Sequence, residues 1–474
     1  MSEILTPDIC VIGAGSGGLT VAAAAAQFGV SVVLIEKAKM GGDCLNTGCV
    51  PSKAMIAAGK QAHVHHTSAA FGVHYSAPDI DFAAVHDHVQ SVIAAIEPHD
   101  SVERFTGLGV HVIQDHGQFE DAQTVRAGDH LIRARRFVIA TGSSPAAPPI
   151  PGLDSIDYIT NETIFDRTDR PEHLIVIGGG PIGMELAQAH GRLGAKVTVL
   201  EAFTALGKDD PQMTKIVLEQ VRSEGVDIRE GIKITGMSGK PGDYEITLEE
   251  DDAETTLTGS HVLVAAGRRP NVNGLGLDAA GIAHERSGIT VDAGLRTSNR
   301  KVYAIGDVAG GLQFTHWAGY HAGLVIRSAL FRLPAKENRD LAAWATYTDP
   351  EMAHAGLTED QARDRHGAIK VLSWPFDDND RARAERQGKG FIKVITNKKG
   401  RVLGTDIVGA HASELIAPWA LAISSKLKIG AMTGAVLPYP TLSEAGKRAA
   451  IGYYASGLTN PWVRRIIKFL RMFG

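Results

Sequence analysis

One loop pattern occurs twice in this 474-residue chain, and it limits the possible folds more than any other feature. The first copy starts from a short apolar strand, Ile9-Cys10-Val11-Ile12. It passes through Gly13-Ala14-Gly15-Ser16-Gly17-Gly18 into a helical stretch from Leu19 to Phe28, then a strand from Ser31 to Ile35 ending at Glu36. The second copy has the strand Leu174-Ile175-Val176-Ile177, the loop Gly178-Gly179-Gly180-Pro181-Ile182-Gly183, and the strand Val197-Thr198-Val199-Leu200 ending at Glu201. First glycine and terminal acid are both displaced by 165 residues, Gly13 to Gly178 and Glu36 to Glu201. In such a G-x-G-x-x-G unit the first glycine makes a tight turn and the second lets the backbone approach a pyrophosphate. The third lets helix and strand pack closely, and the helix N-terminus offers free N–H groups to the phosphates. A lone copy is a weak signal. Two copies, each with strand, helix, strand and acid, predict two dinucleotide sites rather than two glycine-rich turns.

Composition agrees. Glycine accounts for 53 residues, about 11% against a usual ~7%. The length predicts about three domains. A chain with 44% hydrophobic and 21% charged residues is not mainly disordered. With 48 basic and 53 acidic side chains it lacks the basic domain of a nucleic-acid binder. Residues 9–35 carry no charge and are long enough to span a membrane, but their glycines break the stretch into a buried β-α-β unit. The N-terminus has no signal-peptide pattern, and three cysteines are too few for a secreted disulfide scaffold, so a cytoplasmic location is expected.

Two dinucleotide sites imply two cofactors, one passing electrons to the other. Glu36 and Glu201 favour ribose without a 2′-phosphate, which a carboxylate would repel. No Arg or Lys follows Glu201 until Lys208. NADH is therefore expected rather than NADPH.

The segment Gly41-Gly42-Asp43-Cys44-Leu45-Asn46-Thr47-Gly48-Cys49-Val50-Pro51-Ser52-Lys53 follows the first unit. On one regular helix, residues five apart point about 140° away from each other. The two sulfurs could meet only across a distorted turn, which Gly48 and Pro51 would allow. Lys53, four residues after Cys49, projects from the same face, where an ammonium favours a thiolate. A metal half-site is the rival reading, with His63, His65 and His66 downstream, but their polar flanks suggest a solvated helix end and no metal site is assigned. Cys10, within an apolar strand, is read as an inert core thiol.

With these motifs the sequence resembles the class I flavoprotein (pyridine nucleotide) disulfide oxidoreductases, which include dihydrolipoamide dehydrogenase, glutathione reductase and mercuric reductase. The likeness runs over essentially the whole chain: Ala140-Thr141-Gly142, Val264 to Asn271, Ala304-Ile305-Gly306-Asp307 and Thr348-Asp349-Pro350-Glu351 match further family segments. The resemblance implies an α/β fold with two Rossmann-like dinucleotide-binding domains (three-layer ββα type) plus a C-terminal α+β dimerisation domain. The expected order is a first FAD segment over 1–150, an NAD domain over 151–270, a second FAD segment over 271–344 and an interface domain over 345–474. It further implies a Cys44–Cys49 redox disulfide, with Cys49 nearest the flavin and Cys44 as the interchange thiol. Lys53 would pair with Glu185. FAD would be held by Gly13, Gly15, Gly18, Glu36, Gly42, Thr141, Gly142, Gly306 and Asp307. NAD(H) would be held by Gly178, Gly180, Gly183, Glu201 and Gly267. The family's homodimer completes each site with the partner's C-terminal segment.

That segment departs from the family. Tyr439, in Pro438-Tyr439-Pro440-Thr441-Leu442-Ser443-Glu444, stands where lipoamide and glutathione reductases place a His base, and Glu444 stands where its orienting carboxylate would be. A phenol is a poor base near neutral pH. The C-terminal cysteine pair of mercuric reductases is missing too, because no Cys follows Cys49. The expected activity is that of a dihydrolipoamide dehydrogenase, with a lipoyl-bearing or other disulfide-bearing protein as partner. A reductase of a thiol-bound metal or small oxidant, and a non-enzymatic flavoprotein scaffold, are the alternatives. The acidic stretch Asp377-Asp378-Asn379-Asp380-Arg381-Ala382-Arg383 is read as a solvated loop. From about residue 461 the tail reads as a basic amphipathic helix, a candidate for peripheral contact with the inner face of a membrane.

Overall fold

The structure is a computed structural model that describes residues 3–250, 253–455 and 460–473. The chain folds into two compact units, Met1–Thr204 with Gly225–Glu337, and Ala205–Glu224 with Asn338–Gly474.

The first unit holds two parallel sheets built by the two repeated motifs. In one, five strands run in the order Val302–Ala304, Arg136–Ile139, Ile9–Ile12, Val32–Ile35 and Val110–Ile113, every neighbouring pair parallel. Strands buried on both faces read as continuous apolar runs, as Ile9–Ile12 and Val32–Ile35 do. Alternate residues take opposite sides. Ile9 and Val11 pack with Leu19, Ala22 and Val325 of the covering helices. Cys10 and Ile12 pack with Phe119, Val125 and Ile132 of a small second sheet. Helix, parallel sheet and small sheet make the three layers. The second motif repeats this with strands Asp227–Glu230, Lys196–Glu201, His173–Ile177 and His261–Val264. Ile175 and Ile177 there meet Tyr244, Ile246 and Leu248 of a three-stranded antiparallel sheet. The first glycine helix begins at Ser16, earlier than the apolar pattern suggests, because Ser16, Gly17 and Gly18 already form its first turn behind Gly15.

The second unit is built on a five-stranded antiparallel sheet in the order Ala343–Thr346, Glu351–Gly356, Val402–Gly409, Phe391–Asn397 and Ile369–Pro375. The helix Glu444–Gly452 buries Ala445, Ala449 and Ala450 in its core beside Trp419. Lys393, buried in the sheet, reaches Asp210 at 2.5 Å and so ties down the 205–224 segment. His354 is buried between Asp406, 2.6 Å from its Nδ1, and the stacked ring of Trp344. Among the described residues no helix is long and apolar enough to cross a membrane.

Candidate active site

The two glycine loops repeat each other down to single contacts. A Cβ on Gly13 would lie 2.4 Å from the Ala140 carbonyl oxygen, and one on Gly178 would lie 2.6 Å from that of Ala265. A Cβ on Gly18 or Gly183 would overlap the carbonyl oxygen of Gly13 or Gly178, at 1.9 and 2.0 Å. These four glycines answer to the protein's own packing. Gly15 and Gly180 differ: a Cβ there would meet nothing within 4 Å. Their backbones border open space where a pyrophosphate could sit, so the donor set fits a dinucleotide at both loops. The acids match too. Glu36 Oε2 accepts from Ala14 N at 2.6 Å and Oε1 from Ala38 N at 2.8 Å. Glu201 accepts from Gly179 N at 2.7 Å and from Phe203 N at 2.9 Å.

The cysteines sit on two helices rather than on one distorted helix. Gly42–Asn46 carries Cys44, and Cys49–Thr67 begins with Cys49. Between them Gly48 takes φ −125°, ψ −113°, and a Cβ on it would lie 2.9 Å from Asp43 O and Oδ2. Pro51 falls in the first turn of the new helix, where an N–H is not required, so no distortion is needed there. Gly42, at φ +61°, packs against the first glycine loop, where its Cβ would lie 2.7 Å from Gly15 Cα.

Both cysteines are free thiols here, Cys44 half-buried and Cys49 exposed. The hydrogen bond from Cys44 lowers the Cys49 thiol to about 6, helped by Thr315 and the Lys53 charge against an opposing effect of burial. The same bond, with burial, pushes the Cys44 thiol up. Thr315 Oγ1 lies 3.4 Å from Cys49 Sγ, at the start of the helix Thr315–Ala329. Its distance in sequence hid it: nothing near residue 315 carries a redox motif. Lys53 Nζ is 2.8 Å from Glu185 Oε2, with the carboxylate only 6% exposed and the lysine 35%.

Around this pair runs a polar chain. Asp43 Oδ1 accepts from Thr47 Oγ1 and Asn161 Nδ2 at 2.9 and 3.0 Å, and its Oδ2 is 3.4 Å from Arg268. Arg268 donates to Ser143, whose hydroxyl donates to Asp307 Oδ2 at 2.5 Å. Burial raises the Asp307 carboxyl, and the Ser143 bond offsets part of that rise. A half-buried acceptor of this kind suits a hydroxyl-rich cofactor chain. Thr141 and Gly142 are clamped to Asn271 by three hydrogen bonds of 2.9, 3.0 and 3.0 Å. Gly306 and Gly267 both take positive φ.

Tyr439 and Glu444 belong to the second unit. Tyr439 is 69% exposed, and its hydroxyl donates to Asp380 Oδ2 at 3.0 Å, which raises its pKa. The sequence pointed to Glu444 as the partner. The stretch read as a solvated loop is instead a short helix, Asp380–Ala384, capped by Asn379, and it supplies that acid. Among the described residues no group of three or more His, Cys, Asp or Glu could hold a metal ion. His63, His65 and His66 lie at the end of the long cysteine helix with their rings against one another. Cys10 is fully buried, and burial pushes its thiol up.

Comparison with known proteins agrees with this geometry. Residues 7–322 match the family described as "Pyridine nucleotide-disulphide oxidoreductase", and residues 342–450 match its dimerisation domain, which supports a homodimer. Mercuric reductase of Bacillus cereus is 32% identical over 449 residues, 94% of this chain and 71% of that protein. Dihydrolipoyl dehydrogenase of Geobacillus stearothermophilus is 34% identical over 452 residues, 94% of this chain and 95% of that protein. The Cu(II) complex of the HOCl-induced flavoprotein disulfide reductase RclA from Escherichia coli aligns with a TM-score of 0.82 at 26% identity, over 93% of this chain and 98% of that one. Relatives of both names are almost equally similar, so the likeness shows the family and leaves the specific member open. This chain belongs to the pyridine nucleotide-disulphide oxidoreductases, FAD-dependent flavoproteins that take electrons from NAD(P)H.

Proposed function

We propose that this protein is an NADH-linked disulfide oxidoreductase that works in the manner of dihydrolipoyl dehydrogenase, with Cys44 and Cys49 as its redox pair. The observation that carries the reading is the geometry around Cys49: it begins the helix that follows the Cys44 helix, its Sγ lies 3.4 Å from Thr315 Oγ1, and Lys53 one turn on is held 2.8 Å from Glu185. Bound FAD would supply the two-electron link between NADH and this pair. Two electrons and one proton turn the disulfide into a Cys44 thiol and a Cys49 thiolate. Cys44 attacks a substrate disulfide and its proton goes to the substrate sulfur it expels, which leaves as a thiol. Cys49, still a thiolate, then attacks Cys44 in the mixed disulfide, remakes the internal bond and expels the second substrate sulfur as a thiolate. Lys53, fixed by Glu185, holds positive charge beside Cys49. The FAD segments 1–150 and 271–344, the NAD domain 151–270 and the interface domain 345–474 are the organisation that goes with this reading. Glu201, with no cation before Lys208, is the reason for preferring NADH over NADPH. A cytoplasmic location and a lipoyl- or disulfide-bearing protein partner follow from the same reading.

Tyr439 favours a second substrate class. A phenol tied to Asp380, with its pKa raised, does not take a proton from an incoming dithiol. A thiol-bound soft metal or a small oxidant would need no such base, which accords with the name of the mercuric reductase relative. A scaffold without chemistry would have no use for a lysine held by a buried carboxylate one turn from Cys49. The deciding measurement is dihydrolipoamide-dependent NAD⁺ reduction across pH, beside anaerobic NADH titration of the flavin. Turnover supports the dihydrolipoyl dehydrogenase reading. Reducible flavin and thiols without turnover support the second substrate class. A flavin that NADH does not reduce overturns both.

A further inference from the structure

The C-terminal helix Pro461–Leu470 takes no part in the relay. Asn460 caps it by accepting from Trp462 N at 2.9 Å, and Pro461 starts its first turn. None of its residues is buried, and Trp462 and Phe473 are 69% and 74% exposed. At 100° per residue, Phe469, Trp462, Ile466, Leu470, Val463 and Ile467 fill one arc of about 160°. Arg471, Arg464, Lys468 and Arg465 fill the opposite side. The described part of the tail, 460–473, has four cations and no acid. A monomeric surface seldom leaves such an apolar face uncovered.

We propose that this helix docks the enzyme on an anionic phospholipid surface, lying in the interface plane with the apolar arc among the acyl chains. Three features choose that occupant. The helix is about 15 Å long, too short to span a bilayer but suited to lie on one. Arg465 and Arg471 lie at the two borders of the apolar arc, where lipid phosphates would meet them. Pairing with the tail of a second copy would cover the apolar arc but bring no acid to the four cations, because the described tail has none. One short helix binds weakly, but the homodimer carries two, and two linked weak contacts give far higher avidity than one.

The test is flotation of the full-length, FAD-loaded protein with phosphatidylcholine vesicles, with or without phosphatidylglycerol. The protein is expected to float only with the anionic vesicles and to be released by about 1 M salt, where screening is nearly complete. The quadruple variant Arg464→Gln/Arg465→Gln/Lys468→Gln/Arg471→Gln is expected to lose more than ~100-fold in vesicle affinity. Ile466→Asp/Leu470→Asp is expected to abolish binding, with NADH reduction of the flavin unchanged in both variants. Failure of the intact chain to float overturns the proposal, as does flotation of a 1–460 truncation. So does an assembly larger than a dimer that depends on the tail and ignores vesicles.

Discussion

In the proposed reaction the chemistry turns on Cys49 and Tyr439, whose acidities move in opposite directions. Cys49 has its thiol lowered to about 6, so its thiolate is present at neutral pH and lost as pH falls through that value. Alkylation of the reduced enzyme by iodoacetamide should therefore have a midpoint near 6 rather than near the ordinary ~8.5. Thr315→Val should shift that midpoint upward, and Cys44→Ala should shift it further, because Cys44 is the stronger donor. Tyr439 has its phenol raised by the Asp380 carboxylate. Tyr439→His should speed dihydrolipoamide oxidation about 10²-fold near pH 7.5, with the gain fading as pH falls below the ~6.5 of an ordinary imidazole. Tyr439→Phe should leave flavin reduction by NADH untouched. Stopped-flow absorbance separates the two steps. Thr315 and Asp380 could not be read from the sequence, because each meets its partner through tertiary contact, across 266 and 59 residues.

The glycine loop is the element most legible in sequence, since turn, close approach and tight packing each require a missing Cβ at a fixed spacing. Both copies were expected where they stand, and only the helix start moved, by one turn. The cysteine segment was less legible. Spacing alone suggested a strained turn, whereas Thr47 closes one helix and Gly48 opens the next. The loops themselves can be tested by contrast. Gly15→Ala, with φ −78° at an open position, should leave the apoprotein at least as stable, by up to ~1 kcal/mol. It should weaken FAD binding, as read by fluorescence titration. Gly18→Ala drives a Cβ into the Gly13 carbonyl and should destabilise the fold by about 3 kcal/mol. Gly180→Ala should keep its flavin and raise the KM for NADH. At Glu201, replacement by Ala should narrow the preference for NADH over NADPH, measured as the ratio of kcat/KM values.

At the scale of the molecule, the second unit carries its own buried ionic core. Burial opposes charge on His354 and is the largest single effect, but the hydrogen bond and charge of Asp406, with the Gly356 carbonyl and the Asp209 charge, together outweigh it and raise the pKa. A raised value means that stabilisation by this pair is complete below the ordinary ~6.5 of His and is lost as pH rises through the folded value. The melting temperature should fall over that window, and His354→Gln should flatten the dependence. The sequence announced the family of this unit through Thr348-Asp349-Pro350-Glu351. It did not announce the His354–Asp406 pair, which forms only where neighbouring strands set those residues side by side. The helix break at Gly48 has a mechanical meaning for the whole molecule. In the proposed cycle the bond would join two helices across Thr47 and Gly48, so the slack for opening and closing it would lie in two residues. The covalent state would alternate at that joint, much as a latch works in a door frame.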